Sequence, residues 1–335
     1  MNNSDPLKIL YVAPHLSTGG LPQYLLKKIE SFDRQADLYC VEYNFYGEDF
    51  VVQRNRIKFI LGDKFLSLGD SKEIILDFVE RVNPDVIHFE EIPETFVSKE
   101  ILQKIYHPDR KHFICETCHS STIDPSVKTY KPDKFVMVSK WINQKFIILD
   151  VPSEILEYPI ENKDANKSES RKVLGLNSEK KHVLNVGLFT PGKNQAEVIK
   201  YARALESFPI EFHFVGNQAS NFSSYWEPLM KDLPSNCKIW GERHDVDLFL
   251  QSADLFLFTS KFELNPLAIK EALSYKIPSM FYNLETYSQT YNSNNLVTFL
   301  VPSPEINAYK ILHLLGFVKK LESSNDNSRI LHLNL

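Results

Sequence analysis

Cysteine is scarce in this chain: four in 335 residues, at Cys40, Cys115, Cys118 and Cys237. So few and so scattered, they exclude a disulfide framework. Cys115, Cys118 and His119 form a C-x-x-C-H, but no second ligand pair follows at zinc spacing. The reading is therefore plain thiols in a strand and the turn after it, not a metal, haem or redox site. Long apolar runs are missing too. No stretch approaches the roughly 20 residues that span a bilayer. The start, MNNSDPLKILYVAP, has no basic segment and only a short apolar run, so no secretory signal is read and a soluble, cytoplasmic protein is expected. A basic excess is absent: 38 Lys and Arg against 43 Asp and Glu leave a net charge of -5, which disfavours nucleic acid as a partner. No G-x-G-x-x-G dinucleotide fingerprint follows a strand, and no repeat of fixed period occurs.

What remains is an ordinary globular balance, 43% hydrophobic and 24% charged, which excludes disordered, collagen-like and coiled-coil chains. The length suits two domains. Short β-rich runs alternate with helical spacing. Strands are expected at Lys8–Ala13, Leu38–Tyr43, Ile57–Leu61, Asp85–Phe89, Phe113–Glu116 and Phe135–Val138, with helices at Pro22–Phe32, Ser71–Val82 and Lys140–Leu149. Around Tyr158 the pattern breaks, and the polar Glu161–Ser170 reads as a linker. The alternation then restarts, with strands at Val183–Val186, Phe212–Val215, Asp254–Phe258 and Ser279–Tyr282, and helices at Gln195–Leu205, Pro266–Ser274 and Tyr309–Leu321. Such alternation implies parallel sheets, so two α/β, Rossmann-like domains in tandem are expected, with ligands at the carboxyl ends of the strands in a cleft between them. The expected division is a first domain over 1–157, a linker over 158–180, a second domain over 181–305 and a C-terminal helix and tail over 306–335.

The loops at strand ends carry the candidate chemistry. In PHLSTGGLPQ, Gly19 and Gly20 stand just before a helix, where backbone can approach an anion or simply turn. The segment VLNVGLFTPGKNQAEVIKYA runs strand, Gly187, Gly192, Lys193, helix. Its lysine suits a phosphate as a point charge, or is merely solvated. FHFVGNQ ends a strand at Gly216, as a resting place for a ligand or as a turn. The most informative stretch is ADLFLFTSKFELNPLAIKEALSYKIPSM. After its strand come Glu263, then Asn265-Pro266 and Leu267 opening a helix, then Glu271. Eight helical residues rise about 12 Å, too far for the carboxyl pair of a retaining hydrolase, about 5 Å apart. The two acids suit the ends of one long ligand with its phosphates between them, or else a helix cap and a solvated side chain.

The order GG loop, TCHSS, VGLFTPGKN, FVGNQ and ELNPLAIKE resembles the retaining glycosyltransferases of family 4 (glycosyl transferases group 1), over roughly Lys8 to Pro278. Glu263 and Glu271 match that family's E-x7-E signature, the most specific element. PDVIHFEE with His88, FVMVSKW with Ser139, and EYPIE also resemble its segments. The resemblance implies a GT-B fold, two Rossmann-like domains facing an interdomain cleft, with the first on the acceptor side and the second binding a nucleotide-sugar. It implies that Glu271 holds the ribose hydroxyls and that Glu263 and His119 act at the donor sugar. Amides near Asn265, Pro266 and Leu267 would approach sugar and phosphate, Lys193 would bind the diphosphate, and Gly20 would pack against it, with Gly19, Gly187 and Gly216 completing the donor set.

The implied enzyme is a retaining hexosyl- or N-acetylhexosaminyl-transferase. It would use a UDP- or GDP-sugar donor and a glycan, lipid-linked or protein-linked acceptor, with no metal and no cofactor. Leu188 departs from the family, which often has arginine directly after the glycine of the VG strand. Arg243 or His244, in WGERHDVD, would help Lys193 in its place. Lys276 also departs, standing where the family often has glycine. An inactive partner subunit with the same fold is the alternative that Leu188 favours. A nicotinamide-dependent oxidoreductase fails for want of a fingerprint. Lys140-Trp141 and Phe146–Leu149 could form a weakly amphipathic surface for peripheral membrane contact, but core packing is the favoured reading of those residues.

Overall fold

A chain that leaves a strand through a helix and returns to the same sheet re-enters it in the same direction, so strand–helix alternation builds parallel sheets. A computed structural model describes residues 6–17, 19–47, 52–157 and 161–319. The chain divides into two units, Met1–Tyr158 and Pro159–Leu335. The first contains β1 (Lys8–Ala13), β2 (Asp37–Glu42), β3 (Phe65–Ser67), β4 (Val86–Phe89), β5 (Phe113–Glu116), β6 (Lys134–Met137) and β7 (Ser153–Ile155), in the sheet order β3-β2-β1-β4-β5-β6-β7. The second contains β8 (Lys181–Val186), β9 (Ile210–Val215), β10 (Cys237–Ile239), β11 (Leu255–Phe258), β12 (Ser279–Tyr282) and β13 (Val297–Leu300), in the order β10-β9-β8-β11-β12-β13. The central pairs β1–β4 and β8–β11 are parallel. In each sheet the strand order reverses there.

Both sheets are covered on two faces, which explains their nearly continuous apolar strands. In the second unit Val183, Phe212, Phe214, Leu255 and Leu257 pack to one side, while Leu184, Val215, Phe256, Phe258 and Phe281 pack to the other. Complete burial of such a side chain contributes about 1.5–3 kcal/mol. β9 is buried along its whole length, IEFHFV, so Glu211 and His213 lie inside with it.

Several expected elements differ. Ile57–Leu61 belongs to a helix, Val52–Leu61, not to a strand. Ile57 and Leu61 are buried one helical turn apart while Phe59 is 78% exposed, which alternation along a strand would not produce. The short strands β3, β7, β10 and β13 were not anticipated, each having only three or four residues. Within the expected linker 158–180 lies a helix, Lys167–Val173, capped by the Asn166 side chain. Its Arg171 pairs with Asp254 at 2.7 Å and donates to the Ser252 carbonyl at 3.0 Å, so the segment belongs to the second unit. The last helix runs Pro304–Leu314 rather than from Tyr309. Ser303 caps it, proline fills its first turn, and Gly316 follows with φ +83°; these are ordinary start and stop signals. Tyr158 to Ile160, including most of the EYPIE exit, and the tail from Lys320 onward lie outside the described residues.

At the carboxyl end of β8 and β9 two glycines let two backbones cross. Gly216 has φ +150°, and a Cβ there would stand 2.0 Å from the Gly187 carbonyl oxygen. Gly241, by contrast, has φ +67° with nothing within 4 Å of a Cβ. Gly241→Ala therefore tests backbone strain alone, worth about 1–3 kcal/mol. Gly216→Ala adds a backbone collision and should destabilise clearly more, above about 3 kcal/mol, in urea titrations of the two variants. Equal losses would show that the crossing is looser than described.

Candidate functional site

The switch in strand order brings together the loop after β8 and the loop after β11. Lys193 comes from the first and Glu263 from the second. The Lys193 ammonium bonds Glu263 Oε1, and Ser260 Oγ donates to the same oxygen at 2.6 Å. Backbone stitching holds the two loops in register: Lys261 N donates to the Gly192 carbonyl at 2.9 Å and Thr259 Oγ1 to that of Asn194 at 2.8 Å. Lys193 N donates to Thr190 Oγ1 at 3.2 Å, and the ammonium lies 5.1 Å from the Phe258 ring centroid. Asn194 takes a left-handed φ of +56°, which turns the chain into the helix Gln195–Ala204. The ion pair is only partly buried, with 31% exposure at Lys193 and 11% at Glu263.

Glu263 is not a helix cap. Its helix starts at Leu267, with Pro266 in the cap position and no side-chain cap. Only the steps from Leu267 to Glu271 are helical, so the 12 Å expectation for a continuous helix from Glu263 does not apply. Glu271 sits half-buried one turn into the helix. Asn265, Pro266 and Leu267 lead into that helix's first turn. Gly187, with φ +155°, lies against the Lys193 stem: a Cβ there would meet the lysine chain at 3.6 Å. At Gly216 the structure shows the close approach to the Gly187 backbone. Gly19 takes φ +142° and Gly20 begins the helix Gly20–Phe32 with no atom within 4 Å of a Cβ. Arg243, expected to help Lys193, is instead held by Asp245 through two bonds of 2.8 and 2.6 Å.

His119 belongs to the first unit, after β5. Its Nε2 lies 3.4 Å from Glu90 Oε2, its backbone N–H donates to the Glu91 carboxylate, and its ring meets Tyr24 edge-on at 5.0 Å. Glu90 extends the ladder beyond β4, its N–H donating to the Val12 carbonyl at 2.9 Å. Completely buried, it is paired with Lys28 at 2.5 Å. Burial alone would push the Glu90 carboxyl up, but Lys28, His88 and His119 together hold it well below the usual carboxylate range. His88 is pushed down to about 3, first by burial and then by Lys28, and its Nε2 bonds Thr117 Oγ1 at 2.8 Å. Lys28, Glu90 and Ser260 had no role in the sequence reading. The one available signal was the pair of acids in HFEE directly at a strand's carboxyl end.

The cysteines are free thiols: Cys40, Cys118 and Cys237 are buried and Cys115 is half-buried. Burial pushes Cys115 up to about 11. The chain also holds one Asp-x-Asp, Asp245-Val246-Asp247, a spacing that can bind a metal ion. Asp245 is tied to Arg243, and Asp247 accepts from Lys163 at 3.0 Å and Tyr275 at 2.8 Å. Among the described residues, His182, Glu211 and His213 form a group close enough to share a metal. Their nitrogens already form a directed chain. Trp240 Nε1–H donates to His213 Nδ1 at 3.1 Å, so His213 carries its proton on Nε2. That proton goes to His182 Nδ1 at 2.9 Å, and His182 Nε2–H donates to the Asn177 carbonyl at 2.9 Å. A metal on His213 Nε2 would move the imidazole proton to Nδ1, against the indole N–H. The donor set therefore suits a neutral imidazole pair better than an ion.

Of the weakly amphipathic surface, Phe146 and Ile142 are core, while Ile147 and Ile148 are 72% and 79% exposed. No helix among the described residues is long and apolar enough to cross a membrane.

Residues 166–318 match the family described as Glycosyl transferases group 1. A comparison with curated proteins finds no match. Solved structures similar in fold include Anabaena HepE in complex with UDP and glucose, at 14% identity over 92% of this chain and 90% of that one, TM-score 0.73. A glycosyltransferase from Rickettsia africae is similar at 16% identity over 93% and 89%, TM-score 0.68. Sucrose-phosphate synthase from Thermosynechococcus elongatus is similar at 13% identity over 92% and 90%, TM-score 0.68. The fold is thus GT-B, two parallel-sheet α/β domains, and the match to glycosyl transferases group 1 falls within the second unit.

The imidazole pair predicts acid sensitivity. His213, ordinarily near 6.5, is pushed down to about 3 by burial and by His182. Below pH 6.5 the unfolded chain takes up a proton that the native chain refuses. This contribution is complete above pH 6.5 and is lost as pH falls toward 3, with a slope of up to about 1.4 kcal/mol per pH unit. Denaturant titrations between pH 7 and 4 should show a shallower loss for His213→Gln than for the parent. An identical slope would remove the pair as a cause.

Proposed function

We propose that the chain is a retaining, metal-independent glycosyltransferase that moves a sugar from a nucleoside-diphosphate donor, UDP-linked in the simplest case, onto a glycan, lipid-linked or protein-linked acceptor in the cytoplasm. The observation that carries this reading is the Lys193–Glu263–Ser260 cluster at the carboxyl ends of β8 and β11, inside the segment that matches the glycosyl transferases group 1 family. The UDP and UDP-glucose complexes of Anabaena HepE support a UDP-sugar. Exposed Ile147 and Ile148 suit a weak peripheral contact with the membrane that would carry a lipid-linked acceptor.

Breaking the bond between the anomeric carbon and the phosphate oxygen leaves growing negative charge on the diphosphate. In this reading Lys193 and the first amides of the helix Leu267–Ser274 stabilise it, the electrostatic effect that usually dominates. A diphosphate carries more charge than a carboxylate and outcompetes Glu263 for the ammonium. Glu263, released, turns to the hydroxyls of the sugar, with His119 also acting there, and Glu271 holds the ribose. The acceptor hydroxyl attacks on the face from which the diphosphate departs and passes its proton to the departing phosphate oxygen, so no protein nucleophile is required.

The defining experiment follows the anomeric proton by NMR during transfer, with and without EDTA. A product that keeps the donor's configuration and an undiminished rate in EDTA are expected. An inverted product or complete loss in chelator would overturn the reading, and the absence even of slow donor hydrolysis would favour an inactive partner subunit.

The donor contacts predict distinct kinetic losses. Glu263→Ala should nearly abolish kcat, whereas Glu271→Ala should mainly raise the donor KM. A hydrogen bond to a charged group is worth about 1.5–3 kcal/mol, so Lys193→Ala should weaken nucleoside-diphosphate binding roughly tenfold to a hundredfold. Calorimetric titration at fixed salt measures the last of these, and parent-like values in all three variants would dissolve the site.

A further inference from the structure

His119 is held more firmly than a residue in a turn requires. Glu90 meets its Nε2, Tyr24 its ring edge and Glu91 its backbone N–H. Glu90 is itself locked. Its Oε1 takes the Lys28 ammonium at 2.5 Å, and its Oε2 is left for His119. Lys28 is 8% exposed and lies 4.9 Å and 5.2 Å from the ring centroids of Tyr11 and Tyr24. An ammonium has three donors and no acceptor, and an ionised carboxylate only accepts. The polarity of the chain therefore runs one way, from His119 Nε2–H to Glu90. No partner for His119 Nδ1 is found among the described residues.

We propose, on the footing of the function above, that Glu90 and Lys28 are positioning residues for His119. They keep its proton on Nε2 and so present the Nδ1 lone pair to substrate as a hydrogen-bond acceptor for a hydroxyl of the transferring sugar. The unperturbed imidazole has no strong preference between its nitrogens; the bond made by one nitrogen decides what the other offers. Glu90→Gln is isosteric and reverses this polarity. Lys28 can bond only the amide oxygen, so the amide NH2 faces His119 Nε2. Two donors then meet, and His119 must move its proton to Nδ1, offering substrate a donor in place of an acceptor.

The test reads the tautomer and the kinetics separately on the full chain. Side-chain 15N NMR of the histidines, with His119 assigned through His119→Gln, should show the Nε2–H form in the parent and the Nδ1–H form in Glu90→Gln. Transfer by Glu90→Gln should lose about tenfold or more in kcat, with the affinity for nucleoside diphosphate alone within about twofold of the parent. Glu116→Gln serves as the control. It removes another buried carboxylate of the same unit, one bonded to Lys128 and Tyr106, and should change stability without changing kcat. An Nδ1–H tautomer in the parent overturns the proposal even if the variant fails to fold. So does Glu90→Gln with parental kcat, or a loss of kcat as large in the control. If His119→Gln itself transfers at the parental rate, the role given to His119 falls and this positioning role with it. That outcome is separable because the tautomer is read without substrate.

Discussion

In a parallel sheet whose first strand lies in the middle, the chain leaves that strand to one side and later returns to the other. The loops that diverge there have no crossover above them, so ligands of such sheets collect at this point. In the second unit the divergence falls between β8 and β11, and Lys193 and Glu263 come from its two sides. In the first unit it falls between β1 and β4, and Tyr11 and Glu90 stand there with Lys28 from the helix after β1. Strand order decides which loops stand side by side at these junctions. The remaining chemistry elaborates those two junctions.

The two junctions hold ion pairs of different character. Lys28 and Glu90 are almost out of water, and removing one partner would strand a buried charge at a cost of about 3–5 kcal/mol. Such a pair suits a fixed support. Lys193 and Glu263 retain solvent contact, which lowers the cost of separating them. Such a pair suits exchange with a ligand. The same residue types thus form an almost fully buried pair in one sheet and a partly exposed pair in the other, and burial distinguishes the two.

Much of this was legible in the sequence because it rests on local signals. The alternation of β-rich runs and helical periods indicated two parallel-sheet domains. ELNPLAIKE and VGLFTPGKN marked the loops that meet. What escaped depends on tertiary contact. IKFIL looks like a strand until Ile57 and Leu61 are seen on one helical face. Strands of three or four residues carry too little pattern to stand out from loops. Glu90 is an ordinary acid in HFEE, and only the arrival of Lys28 from 62 positions away makes it a support. Arg243 had the right charge and a plausible loop, but Asp245, two residues on, had already taken it. Local sequence reports which residues can reach a strand end; it does not report which of them are already engaged.

That engagement also bears on how an anion enters the second unit. Leu188 supplies no charge and Arg243 is satisfied by its own carboxylate. Lys193 is in turn neutralised by Glu263. The two cations that the sequence singled out, Lys193 and Arg243, are thus both paired with carboxylates, and a simple anion must displace a carboxylate to reach either. In the proposed reading a nucleoside-diphosphate sugar offers two compensations at once: its phosphates would replace the carboxylate on Lys193, and its hydroxyls would give the displaced carboxylate new donors. Phosphate alone offers only the first and leaves Glu263 without a partner beyond Ser260. On that proposal, selection for a ligand that carries both groups would arise from the Lys193–Glu263 pairing itself, without any contact specific to the base.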